Sequence, residues 1–513
     1  MRKWAPLLAV CLGTFMLLID ITIVNVALPD LTKDLGAAFS QLQWVIDVYA
    51  LALAALLLGA GAMADAIGLK KIYLAGLTIF ALASLACGTA QSVDWLIFAR
   101  GVQGIGGAAM FATTIALIST SYQGQDRGTA YGVWGAVSGA GAGAGVVVGG
   151  ILTQYLSWHW VFLVNLPISV VAIALSAVVF TDGERRRVRL DVTGMITFTA
   201  AAALITFAII RAGEDGWTAT APLIAFGAGL AALAGFVVIQ TRHENPLIDL
   251  SLLHSRAFTG AVLAAALLSL SAFGALALVS IWLQSVLGLE PLNAGLALLP
   301  LAGTSFVVAG IFGRFMNGVA PVRPISGGLL LIGLGGLLLN LVQSGSSWPA
   351  LLPGLIVIGF GVGLSIPPLT AAALAAVPKE SSGMAAGIVN TARQLGLAFG
   401  VAVLGSVFTS RAADVLQRRG VPHSADIASA VSGGQSSAVI ARAPAAFRGQ
   451  LDVAIHQAFA SGLHGAFVLA GGLGVLGSVL CYLLLRGAQT ASWDKKPAAP
   501  AGDQRNPAAT YTP

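Results

Sequence analysis

Long apolar stretches separated by short polar breaks dominate this chain. Two typical ones run from Pro6 to Leu28 and from Leu351 to Ala376. Each is near the length of about 20 residues that an α-helix needs to cross about 30 Å of hydrocarbon, and neither alternates as a barrel strand does. Fourteen such stretches begin near residues 6, 43, 72, 95, 130, 160, 193, 219, 257, 292, 325, 349, 383 and 461. The pattern predicts an all-α polytopic membrane protein with 14 transmembrane helices and both termini on one side of the bilayer.

Composition agrees with this. Of 513 residues, 57% are hydrophobic and only 9% are charged, with a mean hydropathy of +0.87. With cytoplasmic termini, 18 of the 27 Lys and Arg residues face inward, and five of seven outward ones share one long loop. Basic residues in short loops set orientation, so the expectation is a multi-pass protein of the cell (inner or plasma) membrane, both termini cytoplasmic. The net charge of +6 then records topology and does not point to nucleic acid. Cys11, Cys87 and Cys481 are scattered inside spans, without metal-ligand spacing. The first span leads straight into others and reads as a retained helix rather than a signal sequence.

Polar breaks divide the chain further. Residues 1–180 read as a six-helix half, 181–256 as a linker carrying two extra helices, and 257–486 as a second six-helix half with an external loop at 411–460. Residues 487–513 read as a disordered cytoplasmic tail. A short amphipathic helix is expected near Ala445 to Phe459. A weak repeat relates the halves: an offset of 252 matches Gly61 to Gly313, Asp65 to Asn317 and Lys71 to Arg323. An offset of 255 matches Gly104 to Gly359, Gly106 to Gly361 and Gly128 to Gly383. Parallel repeats of this kind place a substrate cavity between the halves and give alternating access by rocking.

Five ionisable residues lie inside or at the edge of spans: Asp20, Asp47, Asp65, Arg100 and Arg393. A charge at a helix centre costs at least about 2.5 to 3.5 kcal/mol, so such residues pair, face water or handle ions. Asp20 and Asp47 are the carboxylates placed to exchange a proton or meet a cation. Arg100 stays protonated and can organise a carboxylate or a polar network, or be satisfied by carbonyls. Its repeat mate is Leu355, which concentrates ion chemistry in the first half. Arg393 is the only charge within the spans of the second half, suited to neutralising a buried acid, lining the cavity or meeting carbonyls.

The turn after the second span holds Gly61, Asp65, Gly68, Lys70 and Lys71, either a topological anchor or a conformational latch. The fifth span carries Gly135, Gly139 and Gly143 in one register and Gly141, Gly145 and Gly149 in another, then Gly150. That spacing serves close packing or a moving gate. Phe111, Tyr131 and Trp134 are aromatic candidates for the cavity, although such residues at helical spacing often simply pack.

These stretches together resemble the major facilitator superfamily, in its fourteen-helix drug:proton antiporter branch. The resemblance is carried by Asp20 to Pro29, Gly61 to Lys71, Arg100 to Ala108, the glycines of the fifth span, Trp158 to Pro167 and Asn390 to Gly396. It implies a major facilitator fold, a proton-coupling role for Arg100, control of conformational exchange by Asp65, and an antiporter signature in the fifth span. Two departures stand out. Val146 follows Gly145 where the signature usually has proline, and Ala66 and Leu69 stand where the loop often has arginine.

The expected function is a proton-coupled efflux transporter that exports a hydrophobic or cationic antibiotic or drug and confers resistance. Its partners would be that small molecule, protons and the lipid bilayer, with no cofactor beyond the proton gradient, no metal and no enzymatic chemistry. A proton-coupled importer of an organic solute and a non-transporting membrane sensor are the alternatives. The oligomeric state is left open.

Overall fold

A computed structural model describes residues 2–36, 39–181, 191–243, 246–248, 250–315, 319–377 and 382–486. The polar linker around residues 182–190, Asn317 and the tail from residue 487 lie outside the described residues. The first seven helices are α1 (Ala5–Leu35), α2 (Phe39–Ile67), α3 (Leu69–Gly88), α4 (Val93–Ser121), α5 (Gly124–Tyr155), α6 (His159–Leu163) and α7 (Asn165–Val179). The extra pair is α8 (Val192–Asp215) and α9 (Thr220–Arg242). There follow α10 (Arg256–Phe273), α11 (Leu276–Ile281), α12 (Pro291–Phe315), α13 (Val322–Leu338), α14 (Leu352–Ala375), α15 (Ser382–Arg418), α16 (Ser424–Ser432), α17 (Ser436–Arg442) and α18 (Arg448–Leu485).

Among the described residues, thirteen stretches are helical, long and apolar enough to cross a membrane. The 32-residue α5 is a further long helix, diluted in apolarity by its glycines. With it the helix count agrees with the fourteen expected. Large apolar side chains point outward, among them Val178 (85% exposed) and Ile224 (66%), as a lipid-facing surface requires. Trp95 and Trp160, also exposed, sit near the same end of the bundle, where amphipathic rings suit the membrane interface.

The repeat is visible as packing. A Cβ on Gly104 would meet the Tyr49 carbonyl of α2 at 2.7 Å, and one on Gly106 would meet the Gly76 carbonyl of α3 at 2.8 Å. In the second half, Gly359 lies in the same way against the Leu301 carbonyl of α12 and Gly361 against the Gly328 carbonyl of α13. The offset of 252 carries Tyr49 to Leu301 and Gly76 to Gly328, while 255 carries Gly104 to Gly359 and Gly106 to Gly361. Each half therefore clamps its fourth long helix onto its second and third through glycines, where the missing side chain lets backbones approach.

Between the halves, α5 packs along α12 and α2 packs on α15. The extra pair is more than a spacer: α8 packs on both α2 and α15, so it straddles that seam. Asp191 fixes its start. Its carboxylate accepts from the Gly194 N–H at 2.7 Å, from Gln240 Nε2 at 2.7 Å and from the Leu247 N–H at 3.3 Å.

The region expected as an external loop at 411–460 is largely helical. The α15 helix continues past its apolar run to Arg418, α18 begins at Arg448, and α16 and α17 fold back between them. Ser285 Oγ donates to the Gly434 carbonyl at 2.9 Å and holds this hairpin against the bundle. The amphipathic stretch expected at Ala445 to Phe459 is a single 3₁₀ turn, Ala445–Phe447, followed by the first turns of α18.

Candidate functional site

Asp20 of α1 and Arg100 of α4 meet in the interior of the first half. Arg100 Nη1 lies 2.6 Å from Asp20 Oδ2, with the two side chains 1% and 0% exposed. Taking such a pair from water carries a desolvation cost that only good geometry and further hydrogen bonds offset. Both are present. Asp20 Oδ1 accepts from Gln103 Nε2 at 2.9 Å and from Asn165 Nδ2 at 3.0 Å. Arg100 also donates through Nη1 to Gln103 Oε1 at 2.6 Å and through Nε to the Val45 carbonyl at 3.0 Å. Gln103 Nε2 reaches Ser84 Oγ at 2.8 Å, and the guanidinium lies over the Tyr49 ring at 4.2 Å. One ion pair thus joins α1, α2, α3, α4 and α7.

Gly107, one turn beyond Gln103, leaves room for Leu17, Leu53 and the Tyr49 hydroxyl beside this node. The second half has no matching polar centre at the equivalent places. The mates of Arg100 and Gln103 at offset 255 are Leu355 and Ile358, both buried in the apolar core. Asp47 stands apart from the node. The Val45 carbonyl and the Tyr49 ring of α2 meet Arg100, whereas Asp47, two residues from each, is half-buried.

Asp65 works across the halves. Its Oδ2 accepts the backbone N–H of Met384 at 2.9 Å, in the first turn of α15 and 319 residues away. Helix N-termini present unpaired N–H groups and partial positive charge, which a carboxylate satisfies on both counts. Gly61 is buried one turn earlier on α2. Gly68 is the single residue between α2 and α3 and has φ +119°, a conformation that L side chains rarely adopt. Lys70 Nζ donates to the Ala177 carbonyl at 2.8 Å, in the last turn of α7, while Lys71 is half-buried beside it on α3. The expected turn residues therefore do two things: Asp65 joins the halves, and Lys70 ties α3 to α7 within one.

On α5 the glycines divide between two neighbours. Gly141 faces Phe15 and Leu18 of α1, and Gly145 faces Thr22 and the Ile19 carbonyl. Gly135 faces Ile366 and Pro367 of α14, and Gly150 faces Leu292 of α12. Gly149 is buried between these faces. The surroundings of Gly139, Gly143 and Val146 lie outside the described residues.

Phe111, Tyr131 and Trp134 are buried in one apolar core that both halves share, so in this conformation they pack instead of lining open space. Trp134 Nε1 donates to Thr14 Oγ1 at 3.0 Å, and the Phe111 carbonyl accepts from Asn390 Nδ2 of α15 at 3.1 Å. Arg393 sits one turn after Asn390, partly accessible yet deep within the protein.

The sequence singles out Asp20 and Arg100 but gives no role to Gln103, Asn165, Ser84 or Tyr49. Gln103 offered a signal, since an amide three residues from a buried arginine shares its helix face. Asn165 offered a weaker one inside an aromatic turn.

The profile of the family described as Major Facilitator Superfamily matches residues 10–401. The Multidrug resistance protein Stp of Mycobacterium tuberculosis is 35% identical over 407 residues, covering 79% of this chain and 75% of that protein. The Puromycin resistance protein pur8 of Streptomyces alboniger is 34% identical, over 84% and 87% of the two chains. The Tetracenomycin C resistance and export protein of Streptomyces glaucescens is 31% identical, over 93% and 91%. Among solved structures, the human organic anion transporter MFSD10 superposes with a TM-score of 0.63 at 16% identity, covering 93% of this chain and 99% of that one, a likeness of fold.

Proposed function

Because this chain belongs to the Major Facilitator Superfamily, we propose that it is a drug:proton antiporter, which exports an antibiotic or drug across the cell membrane and confers resistance to it. The relatives that carry resistance and export in their names support the efflux half of this reading. The proton half rests on one observation above all: a fully buried Asp20–Arg100 pair that joins five helices of the first half and has apolar residues at its repeat positions in the second.

A proton arriving at Asp20 removes the charge that holds Arg100 Nη1. The guanidinium keeps Gln103 Oε1, the Val45 carbonyl and the Tyr49 ring, so its balance shifts from α1 toward α2 and α4. Asn165 and Gln103 then face a neutral acid in place of a carboxylate. The node thereby converts proton occupancy into a change of helix packing, as a two-state element requires. Each proton moving down the membrane potential supplies about 2.3 kcal/mol per 100 mV. The Asp65–Met384 bond holds α2 to α15 at the end of the bundle that carries Lys70 and Lys71. By its basic residues that end is cytoplasmic, so the arrangement is one closed to the cytoplasm.

Everted membrane vesicles with an imposed pH gradient test this reading, supported by drug susceptibility of cells at matched expression. Asp20→Asn and Arg100→Ala are each expected to lower gradient-driven transport at least tenfold and to abolish protection. Equal protection by both variants and wild type would overturn the coupling assignment.

A further inference from the structure

Arg393 is a partly accessible cation deep in the bundle that has no partner among the described residues. Among the described residues no hydrogen bond, ion pair or ring contact reaches its guanidinium, and no carboxylate is close enough to act on it. Arg100, also deep in the bundle, has one carboxylate, one amide, one carbonyl and two rings, Tyr49 and Phe162. A cation deep in a membrane bundle without a counter-charge is costly, and it is retained where it faces water or where something else supplies the missing anion.

The position of Arg393 on α15 shows where that anion arrives. Asn390, three residues earlier, bonds to Phe111 of α4. Gly396, three residues later, lies against the Ala266 carbonyl of α10, and Gly400 lies against Leu270. At 3.6 residues per turn, Arg393 projects about 60° from each of Asn390 and Gly396, into the angle between α4 and α10. Those helices belong to opposite halves and touch each other marginally at most. The side chain therefore points to the boundary that alternating access opens, and away from lipid. Beside it, Asn390 Oδ1 is buried and accepts no hydrogen bond, leaving an unfilled acceptor next to the unfilled donors.

The charge balance of the region points the same way. Asp20 is neutralised by Arg100, and its remaining oxygen is occupied by Gln103 and Asn165, so it presents no free carboxylate to a cationic molecule. Arg393 adds a net positive charge. A guanidinium presents a planar fork of donors that matches a carboxylate in two parallel bonds.

We propose that Arg393 is the recognition point for an oxyanion, a carboxylate or a comparably acidic oxygen, on the molecule this protein exports. This deepens the efflux reading and rests on it. In place of the hydrophobic or cationic cargo expected from the sequence it sets an acidic amphiphile, whose apolar body suits the shared apolar core.

Two dyes built on one xanthene skeleton provide the test: fluorescein, an anion at neutral pH, and rhodamine 123, a cation. Their binding to purified full-length protein is followed by fluorescence anisotropy, with size-exclusion elution confirming that each variant is folded. Wild type is expected to bind fluorescein at least tenfold more tightly than rhodamine 123. Arg393→Gln should erase that preference, and Arg393→Lys should retain part of it, since an ammonium keeps the charge without the fork. Preference of wild type for rhodamine 123, binding of neither dye, or an unchanged preference in Arg393→Gln would each overturn the proposal. The comparison of the two dyes on wild type needs no variant to fold. Export is read separately, from gradient-driven dye accumulation in everted vesicles, so a protein that binds fluorescein but does not move it would sink the efflux reading while leaving the anion site standing.

Discussion

Asp20 and Arg100 are interdependent to a degree that single substitutions exaggerate. Removing one partner leaves the other buried and charged, which costs about 3 to 5 kcal/mol, whereas replacing both with apolar groups is often nearly neutral. Thermal unfolding in detergent should show Arg100→Met markedly destabilised and the double variant Asp20→Leu with Arg100→Met restored close to wild type, with transport lost in both. Gln103→Leu removes a donor to Asp20 and an acceptor for Arg100. Leaving such groups unpaired costs about 1 to 3 kcal/mol, and a shift in unfolding temperature would measure it. The costly charges were legible in the sequence because few residue types tolerate those positions. Their partners were not, because Asn165 reaches Asp20 only once α7 is docked on α1, and facing direction is set by packing. The same holds for Asp65, whose partner is a backbone N–H 319 residues away.

Glycine at the crossing points decides how the helices lie. A side chain at Gly106 would drive into the Phe80 N and the Gly76 carbonyl of α3, backbone atoms that cannot swing aside. Gly106→Leu should therefore lower yield and melting temperature far more than Gly101→Leu, whose nearest neighbour is a methyl group of Val48 at an ordinary 3.4 Å. Asp191 governs a different element. Burial would push its pKa up, but hydrogen bonds from Gly194, Gln240 and Leu247, with His243 nearby, hold it below the usual carboxylate range. A carboxylate with a depressed folded pKa contributes stability that is present above its unfolded value, near 3.9, and is lost as pH falls through the folded one. Limited proteolysis of the segment joining α9 to α10 should accelerate below about pH 4 in wild type. In Asp191→Ala it should be fast at every pH. The apolar runs made nearly every spanning element readable, including the glycine-diluted α5. They understated α15 and α18, which run on into sequence rich in Ala, Gln and Arg, good helix formers without an apolar signature.

The two halves are joined unequally, and that inequality is functional. Along α5 and α12 they meet over a long stretch, from Gly135 beside Ala309 to Gly150 beside Leu292, while α2 and α15 are fastened at one end by Asp65 and Met384. Asp65→Ala removes the acceptor and should widen the separation between spin labels at Ile67 and Arg323, measured by electron resonance in nanodiscs. Asp65→Asn retains an acceptor oxygen and should fall between. Unchanged distances in Asp65→Ala would show that the seam is held by its apolar packing alone. The duplicated plan was readable from a few glycines at fixed offsets, but the sequence could not show that α8 lies across the α2–α15 seam. That placement has a further consequence. Whenever the seam parts, α8 and α9 must travel with one side and plough through the surrounding acyl chains, so the bilayer acts as a brake on each turnover. Transport should slow steeply in lipids near their gel transition, and a cell that stiffens its membrane would throttle this pump without touching its proton supply.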